Sequence, residues 1–384
     1  MDDRRHRDAS NPELVEIIRR RIDDAGGRIT FAAFMELALY HPEHGYYRTA
    51  PARASRGGDF ITAPEAHPIF GQTLARQFGE MWRRLDRPAP FTLREYGAGA
   101  GTLALDVLEA LRDAGDELLG AIHYEPVEIN PARRAELTRR LEEAGLRDHL
   151  VQPEPGTRIV GCVLANEFLD ALPVHRVVVQ DGALHEVYVA WRDGWFADVM
   201  GSPSTPEIAA RLEREGVTLA EGQRAEVCLG IRGWVDEVAA GLRRGYALVL
   251  DYGYPAAELY GPARSGGTLK AYFRHAVHED PYRAVGEQDL TAHVDFSALQ
   301  EAAEARGLVA LGLTTQADFL AGAGIGELLV ALGHRPGTTA DEYQAARAAV
   351  MHLIDPGGMG RFRVLVLGAG VAPEPPLAGL SVTL

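Results

Sequence analysis

From residue 91 onward the chain alternates apolar runs of strand length with stretches patterned as helices, and this alternation limits the fold more than any other feature. The runs are Phe91 to Tyr96, Ala121 to Glu128, Ile159 to Ala165 and Tyr246 to Asp251, with helix-patterned stretches from Thr102, at Pro131 to Glu143 and at Ile231 to Leu242. Strands joined through helices return to the same end of a sheet and pair in parallel, with helices covering both faces. Leu308 to Leu313 and Phe362 to Leu367 supply two further strands, with helices expected at Phe296 to Arg306 and Asp341 to Ile354. An α/β fold follows.

What lies outside this pattern divides the chain. Residues 1–88 read as a helical N-terminal extension: Asn11-Pro12 opens an amphipathic helix that Gly26-Gly27 ends, and a second short helix spans Phe31 to Tyr40. The core then begins at 89–170 and is interrupted by a β-rich insertion at 171–230, a meander with turns at Asp181-Gly182 and Asp193-Gly194. It continues at 231–251, is interrupted again by a loop-rich cap at 252–295 without clear periodicity, and is completed by 296–384.

The chain's 384 residues carry 54 acidic and 39 basic side chains, a formal charge of -15. Such a field repels phosphate backbones and anionic lipid, so neither nucleic acid nor a membrane is expected as a partner, whereas a cationic substrate is attracted. Cys162 and Cys228 are too few for a disulfide framework and have no histidine at zinc-ligand spacing. No bound metal is expected. The first ten residues contain no apolar stretch and include acids, which argues for a cytoplasmic protein. Of the basic residues all but Lys270 are arginine, and a compact ammonium is not equivalent to a guanidinium where geometry matters.

Three clusters could carry chemistry. Glu95-Tyr-Gly97-Ala-Gly99-Ala-Gly101-Thr102 directly follows a strand and opens a helix, so its backbone can approach a ligand closely. A dinucleotide site would want a third glycine where Thr102 stands. At the end of the next strand Glu128 can accept both hydroxyls of a ribose. Asn166, Glu167 and Asp170 follow the third strand, at the same end of the sheet as the glycine loop; carboxylates there suit a guanidinium, which they hold in a fork. Lys270, Tyr272, Arg274 and His293 occupy the irregular cap and are candidates for the far side of an acceptor pocket. His293 and Asp295 alone are too few for a metal site.

Six segments in order resemble the MidA family, which includes the mitochondrial complex I assembly arginine methyltransferase. They are Phe60-Ile-Thr-Ala-Pro-Glu65 with Ile69-Phe-Gly71, the Glu95 to Thr102 loop, Val127-Glu128, Glu167-Phe-Leu-Asp170-Ala-Leu-Pro173, Asp251-Tyr-Gly253, and Asp289-Leu-Thr-Ala-His293-Val-Asp295-Phe296. The resemblance implies a Rossmann-like class I methyltransferase fold with a mainly parallel seven-stranded sheet, a helical N-terminal extension and inserted cap regions, using S-adenosylmethionine. It further implies that Asp59, Phe60 and Thr62 close over the cofactor, that Gly97, Gly99 and Gly101 cradle its methionine part, and that Glu128 holds its ribose. Glu95, Thr102 and Asn166 belong to the same cofactor set, and Asn166, Glu167, Asp170, Lys270 and His293 to the catalytic one. The chain departs from the family in having Ala98 and Ala100 within the glycine loop. The expected activity is methylation of a nitrogen, an arginine side chain of a protein substrate. A small-molecule acceptor, a non-catalytic assembly factor that only binds S-adenosylmethionine, and a dehydrogenase remain open alternatives. A homodimer is compatible with the sequence.

Overall fold

The computed structural model describes residues 9–49, 63–154, 156–274 and 276–382. Its central sheet consists of β1 (Phe91–Tyr96), β2 (Ile122–Val127), β3 (Ile159–Asn166), β4 (Leu242–Asp251), β5 (Val309–Thr315) and β6 (Arg363–Ala369). Their spatial order is β5-β6-β4-β3-β1-β2. The first four strands are parallel, β6 runs antiparallel to β4, and β5 antiparallel to β6. Strands buried on both faces need apolar residues at consecutive positions. In β3 and β4, Leu164, Leu248 and Leu250 enter one core while Val163, Ala165, Ala247 and Val249 enter the other. Helix α1 (Ile69–Arg84) and helix α2 (Thr102–Ala114) cover the first face; helix α3 (Gly230–Gly241) covers the second with Phe296–Glu304.

The sheet has six strands among the described residues, not seven. Beyond β2, where another strand would pair, Leu150 makes only an isolated parallel bridge to Tyr124. Pro153 follows within three residues and has no N–H to extend a ladder.

The β-rich insertion and the N-terminal extension share one sheet. His175–Gln180, Ala183–Arg192, Trp195–Gly201 and Arg224–Val227 are joined by Arg28–Thr30, which pairs antiparallel with Ala183–Arg192. Positive φ at Asp181, Gly182, Asp193 and Gly194 is the backbone of the tight hairpin turns these dipeptides favour. The cap is more ordered than its sequence suggests. Lys270–Phe273, Ala276–His278 and Asp289–Thr291 form a three-stranded antiparallel sheet, with Ala271 and Leu290 in the core built on Phe31, Phe34 and Val189. Strands of three or four residues are too short to reveal a period of two.

Parallel strands β3 and β1 adjoin, yet the chain leaves β1 towards β2 on one side and reaches β3 on the other. The loops after them diverge and leave a crevice at the carboxyl end of the sheet, the place where such folds bind ligands.

Candidate active site

A cavity of about 720 Å³ fills that crevice. One wall is the glycine loop, whose Gly97, Gly99 and Gly101 have φ of +69°, +57° and +78°, a region that side chains disfavour. The three glycines do different work. A Cβ on Gly101 would sit 2.6 Å from Leu137 Cγ, so this residue lets helix Pro131–Glu143 pack and does not line the cavity. A Cβ on Gly97 would press on the Phe168 ring at 3.1 Å. A Cβ on Gly99 would meet, among the described residues, only Gly97 O at 3.9 Å; its backbone faces open space in the cavity.

Charged side chains fasten this wall. Glu128 accepts hydrogen bonds from Gly99 N at 2.8 Å and Asn130 N at 2.7 Å, and retains lone pairs for further donors. Arg140 donates to Ala100 O at 3.2 Å and Thr102 Oγ1 at 2.8 Å. Glu95 is buried at the end of β1 and accepts from the Tyr124 hydroxyl at 2.6 Å. Burial, with nearby Glu128 adding to it, pushes the Glu95 carboxyl up to about 7 against the Tyr124 hydrogen bond.

The far end of the cavity is acidic. Asp251, fully buried at the end of β4, accepts three consecutive backbone N–H groups through Oδ2: Phe168 at 3.1 Å, Leu169 at 2.8 Å and Asp170 at 3.2 Å; Oδ1 accepts Tyr252 N at 2.8 Å. One carboxylate thereby shapes the whole turn after β3. Glu167 stands in that turn at φ +48°, a conformation that costs a non-glycine residue about 1–3 kcal/mol. It accepts from Ala63 N at 2.9 Å and from Asn166 Nδ2 at 3.2 Å. Burial pushes its carboxyl up to about 8. Asn166 Oδ1 is buried without a hydrogen-bond partner among the described residues. Asp170 is raised well above the usual carboxylate range, by burial first and then by the charges of Asp251, Asp289 and Glu167.

Eight of the expected residues, Glu95, Gly97, Gly99, Thr102, Glu128, Asn166, Glu167 and Asp170, line this one cavity, as does Tyr272. Asp59, Phe60 and Thr62 lie outside the described residues. Neither Lys270 nor His293 is among the residues that line the cavity. Lys270 makes a solvent-exposed ion pair with Glu279. His293 packs against Tyr252 and Tyr254, and burial together with the charges of Arg264, Arg361 and Lys270 lowers it to about 4. Arg274 is exposed over the Phe273 ring.

Sequence reasoning missed the contribution of the N-terminal extension. Glu36, Tyr40, Tyr46, Tyr47 and Arg48 all line the cavity. Tyr40 donates to Ala171 O at 2.9 Å and Tyr47 to Asp289 Oδ1 at 2.7 Å. Arg48 donates to Ile129 O at 2.7 Å, and Asn130 Nδ2 donates to Tyr47 O at 3.0 Å. The Tyr46-Tyr47 pair in a turn-rich loop was the available signal. On α3, Trp234 and Glu237 complete the lining, the latter accepting from the Tyr96 hydroxyl at 2.8 Å.

A glycine cradle and a ribose-type carboxylate at the switch point of a mainly parallel sheet define the class, an α/β fold built for a nucleoside cofactor. Residues 73–314 match the family model described as "Putative S-adenosyl-L-methionine-dependent methyltransferase". The chain is 32% identical to the Drosophila melanogaster protein arginine methyltransferase NDUFAF7 homolog, mitochondrial, over 95% of this chain and 86% of that one. To the Rattus norvegicus protein arginine methyltransferase NDUFAF7, mitochondrial, it is 30% identical over 89% and 81%. A crystal structure from Burkholderia thailandensis bound to S-adenosyl-homocysteine superposes with a TM-score of 0.86 at 35% identity, covering 99% of this chain and 96% of that one. The chain belongs to this S-adenosylmethionine-dependent methyltransferase family. Its residues fit the cofactor: backbone at Gly99 that a side chain would obstruct, an acceptor carboxylate at Glu128, and an orphaned amide oxygen at Asn166.

Proposed function

We propose that the protein methylates a nitrogen of an arginine side chain in a protein substrate. The observation that carries this reading is the charge of the cavity lining among the described residues: Glu36, Glu65, Glu95, Glu128, Glu167, Asp170, Glu237 and Asp289 against Arg48 and Arg133. An excess of acidic groups in a cleft attracts cationic ligands, so this lining favours them. The printed names of the curated relatives support arginine as the acceptor.

Bound S-adenosylmethionine supplies an electrophilic methyl group on a sulfonium. The chain positions the acceptor and takes up the proton that its nitrogen sheds. Gly97 and Gly99 admit the methionine part of the cofactor, and Glu128 accepts the ribose hydroxyls. Asp170 orients the guanidinium, Asn166 stands at the cofactor edge, and Glu167 receives the proton. A carboxyl raised to about 8 is a far better base, once ionised, than an ordinary one. Because positioning supplies much of the rate in such a displacement, the Asp251 clamp on the 168–170 backbone matters as much as the base.

The test is transfer of a labelled methyl group from S-adenosylmethionine to a cell extract, followed by acid hydrolysis and amino-acid analysis of the protein fraction. Label in methylarginine is expected. Label confined to small molecules or to base-labile esters, with the cofactor bound, would refute the arginine reading.

A further inference from the structure

A second cluster of buried acids lies where the β-rich insertion meets the core, and none of its members is among the residues that line the cavity. Helix Pro206–Arg214 of the insertion packs Ile208 and Leu212 with Val177, Ala225 and Tyr260. Arg211 and Glu215, the residue that ends this helix, are four apart and so share one side of it; both side chains are 5% exposed. Opposite stands Asp295, 4% exposed, which caps helix Phe296–Glu304 by accepting Ala298 N at 3.0 Å through Oδ1. That helix packs on α3, which brings Trp234 and Glu237 to the cavity wall.

The Glu215 and Asp295 carboxyls share a hydrogen bond. Two ionised carboxylates offer each other only acceptors, so one of the pair holds a proton. Glu215 Oε2 and Asp295 Oδ2 are both buried, and neither finds a donor in another side chain or the backbone among the described residues. A proton between the two carboxyls removes the cost of leaving them so. Charged groups reach the pair from every element packed there. Arg211 Nη1 lies 3.5 Å from Glu215 Oε1 and 3.6 Å from Glu301 Oε2, and Arg214 Nε lies 3.0 Å from Glu301 Oε1. Tyr260 stands beside Asp295 and donates its hydroxyl to Glu226 O at 3.3 Å. The Glu226 carboxylate accepts from Thr268 N at 2.6 Å and feels the charge of Arg176, and the Cys228 thiol lies near Asp295. Two arginines thus face Glu215, Asp295 and Glu301, and the charges balance when one acid is neutral. Burial, followed by the charge of Asp295, pushes Glu215 up to about 8 against the pull of Arg211, and burial raises Asp295 as well.

We propose that Glu215 and Asp295 share one proton and form a pH-sensitive latch that fastens the inserted helix to the methyltransferase core. With the proton in place the two carboxyls bond; once it leaves to solvent, two like charges face each other in a buried site. An acid that holds its proton more tightly when folded stabilises fully below its ordinary value of 4.5, and that stabilisation is lost as the pH rises through about 8. The latch is closed in mildly acidic solution and loosens as the pH climbs to 8. This inference does not depend on which acceptor is methylated.

The experiment follows amide hydrogen exchange of the full chain by mass spectrometry at pH 6, 7 and 8, corrected for the intrinsic exchange rate. Protection of residues 206–217, read relative to strands β3 and β4, is expected to fall at least about fivefold from pH 6 to pH 8. Glu215→Gln and Asp295→Asn each replace the shared proton with a permanent N–H donor, and asparagine still caps a helix. Each variant is expected to keep that relative protection constant within about twofold over the same range. Either one decides the question if the other fails to fold. Protection that does not change with pH in the unsubstituted protein, or an undiminished fall in a folded amide variant, would overturn the latch.

Discussion

Replacing Gly99 by alanine separates the cofactor site from the stability of the fold, and Gly101→Ala is its control. Both glycines have positive φ, +57° and +78°, so each alanine carries about 1–2 kcal/mol of backbone strain. At Gly101 the new Cβ would also lie 2.6 Å from Leu137 Cγ and 3.1 Å from Leu137 Cβ. Overpacking of that kind adds about 1–3 kcal/mol, bringing the total to about 2–5 kcal/mol. At Gly99 the methyl group meets no described side chain and enters the space the ligand needs. Gly99→Ala is therefore expected to lower the melting temperature by only a few degrees while weakening S-adenosylhomocysteine by at least tenfold, or about 1.4 kcal/mol. Gly101→Ala should lose more stability and less affinity per unit of remaining folded protein. Calorimetric titration with S-adenosylhomocysteine, alongside thermal unfolding, reads both quantities. A stable Gly99→Ala protein that binds with unchanged affinity would refute this placement of the cofactor.

The other expectations concern the acids and the single lysine. Asp251→Ala strips the acceptor from four backbone N–H groups and should cost several kcal/mol, since each unsatisfied group costs about 1–3 kcal/mol; denaturant unfolding measures it. Glu167 is held at about 8 in the folded chain against an ordinary 4.5, so between those values the unfolded chain binds fewer protons. Stability of the ligand-free protein should accordingly fall as pH rises from about 4.5 to about 8, and Glu167→Gln should flatten part of that slope in denaturant titrations at pH 5.5 and 8. Lys270→Ala breaks only an exposed pair and should change stability by less than about 1 kcal/mol, with methyl transfer within twofold; a large loss of transfer would return Lys270 to the site.

The cofactor wall was legible in the sequence because its chemistry is local. Glycines at 97, 99 and 101, directly after a strand, and Glu128, at the end of the next, are fixed by a pattern that spans barely thirty residues. The sequence did not distinguish the three glycines, since contact between Gly101 and Leu137 is a tertiary fact. Nor could it separate the acids of the 166–170 turn from Asp251, which proves to shape the turn from below. Lys270 attracted attention by its rarity, and rarity carries no direction; it lies on the cap sheet with its ammonium toward Glu279. The missed residues share one property. Glu36, Tyr40 and Tyr47 reach the cavity only because Arg28–Thr30 adds a strand to a sheet whose other members begin about 145 residues later, a pairing that no local periodicity announces.

That pairing gives the extension a hold on both ends of the site. Tyr47 offers its carbonyl to Asn130 Nδ2 and its hydroxyl to Asp289, while Arg48 binds Ile129 O. One short segment therefore touches the loop that carries Glu128 and the strand that carries Asp289. Asn130 in turn donates its backbone N–H to Glu128 Oε1, and Glu128 Oε2 accepts from Gly99 N. A continuous chain of contacts runs from Asp289 through the extension to the glycine cradle. Fixing one end of such a chain lowers the entropy still to be lost at the other, so filling the cradle should order Tyr47 and with it the orientation of Asp289. The extension thus joins the cofactor wall to the acidic far end of the cavity through its own hydrogen bonds.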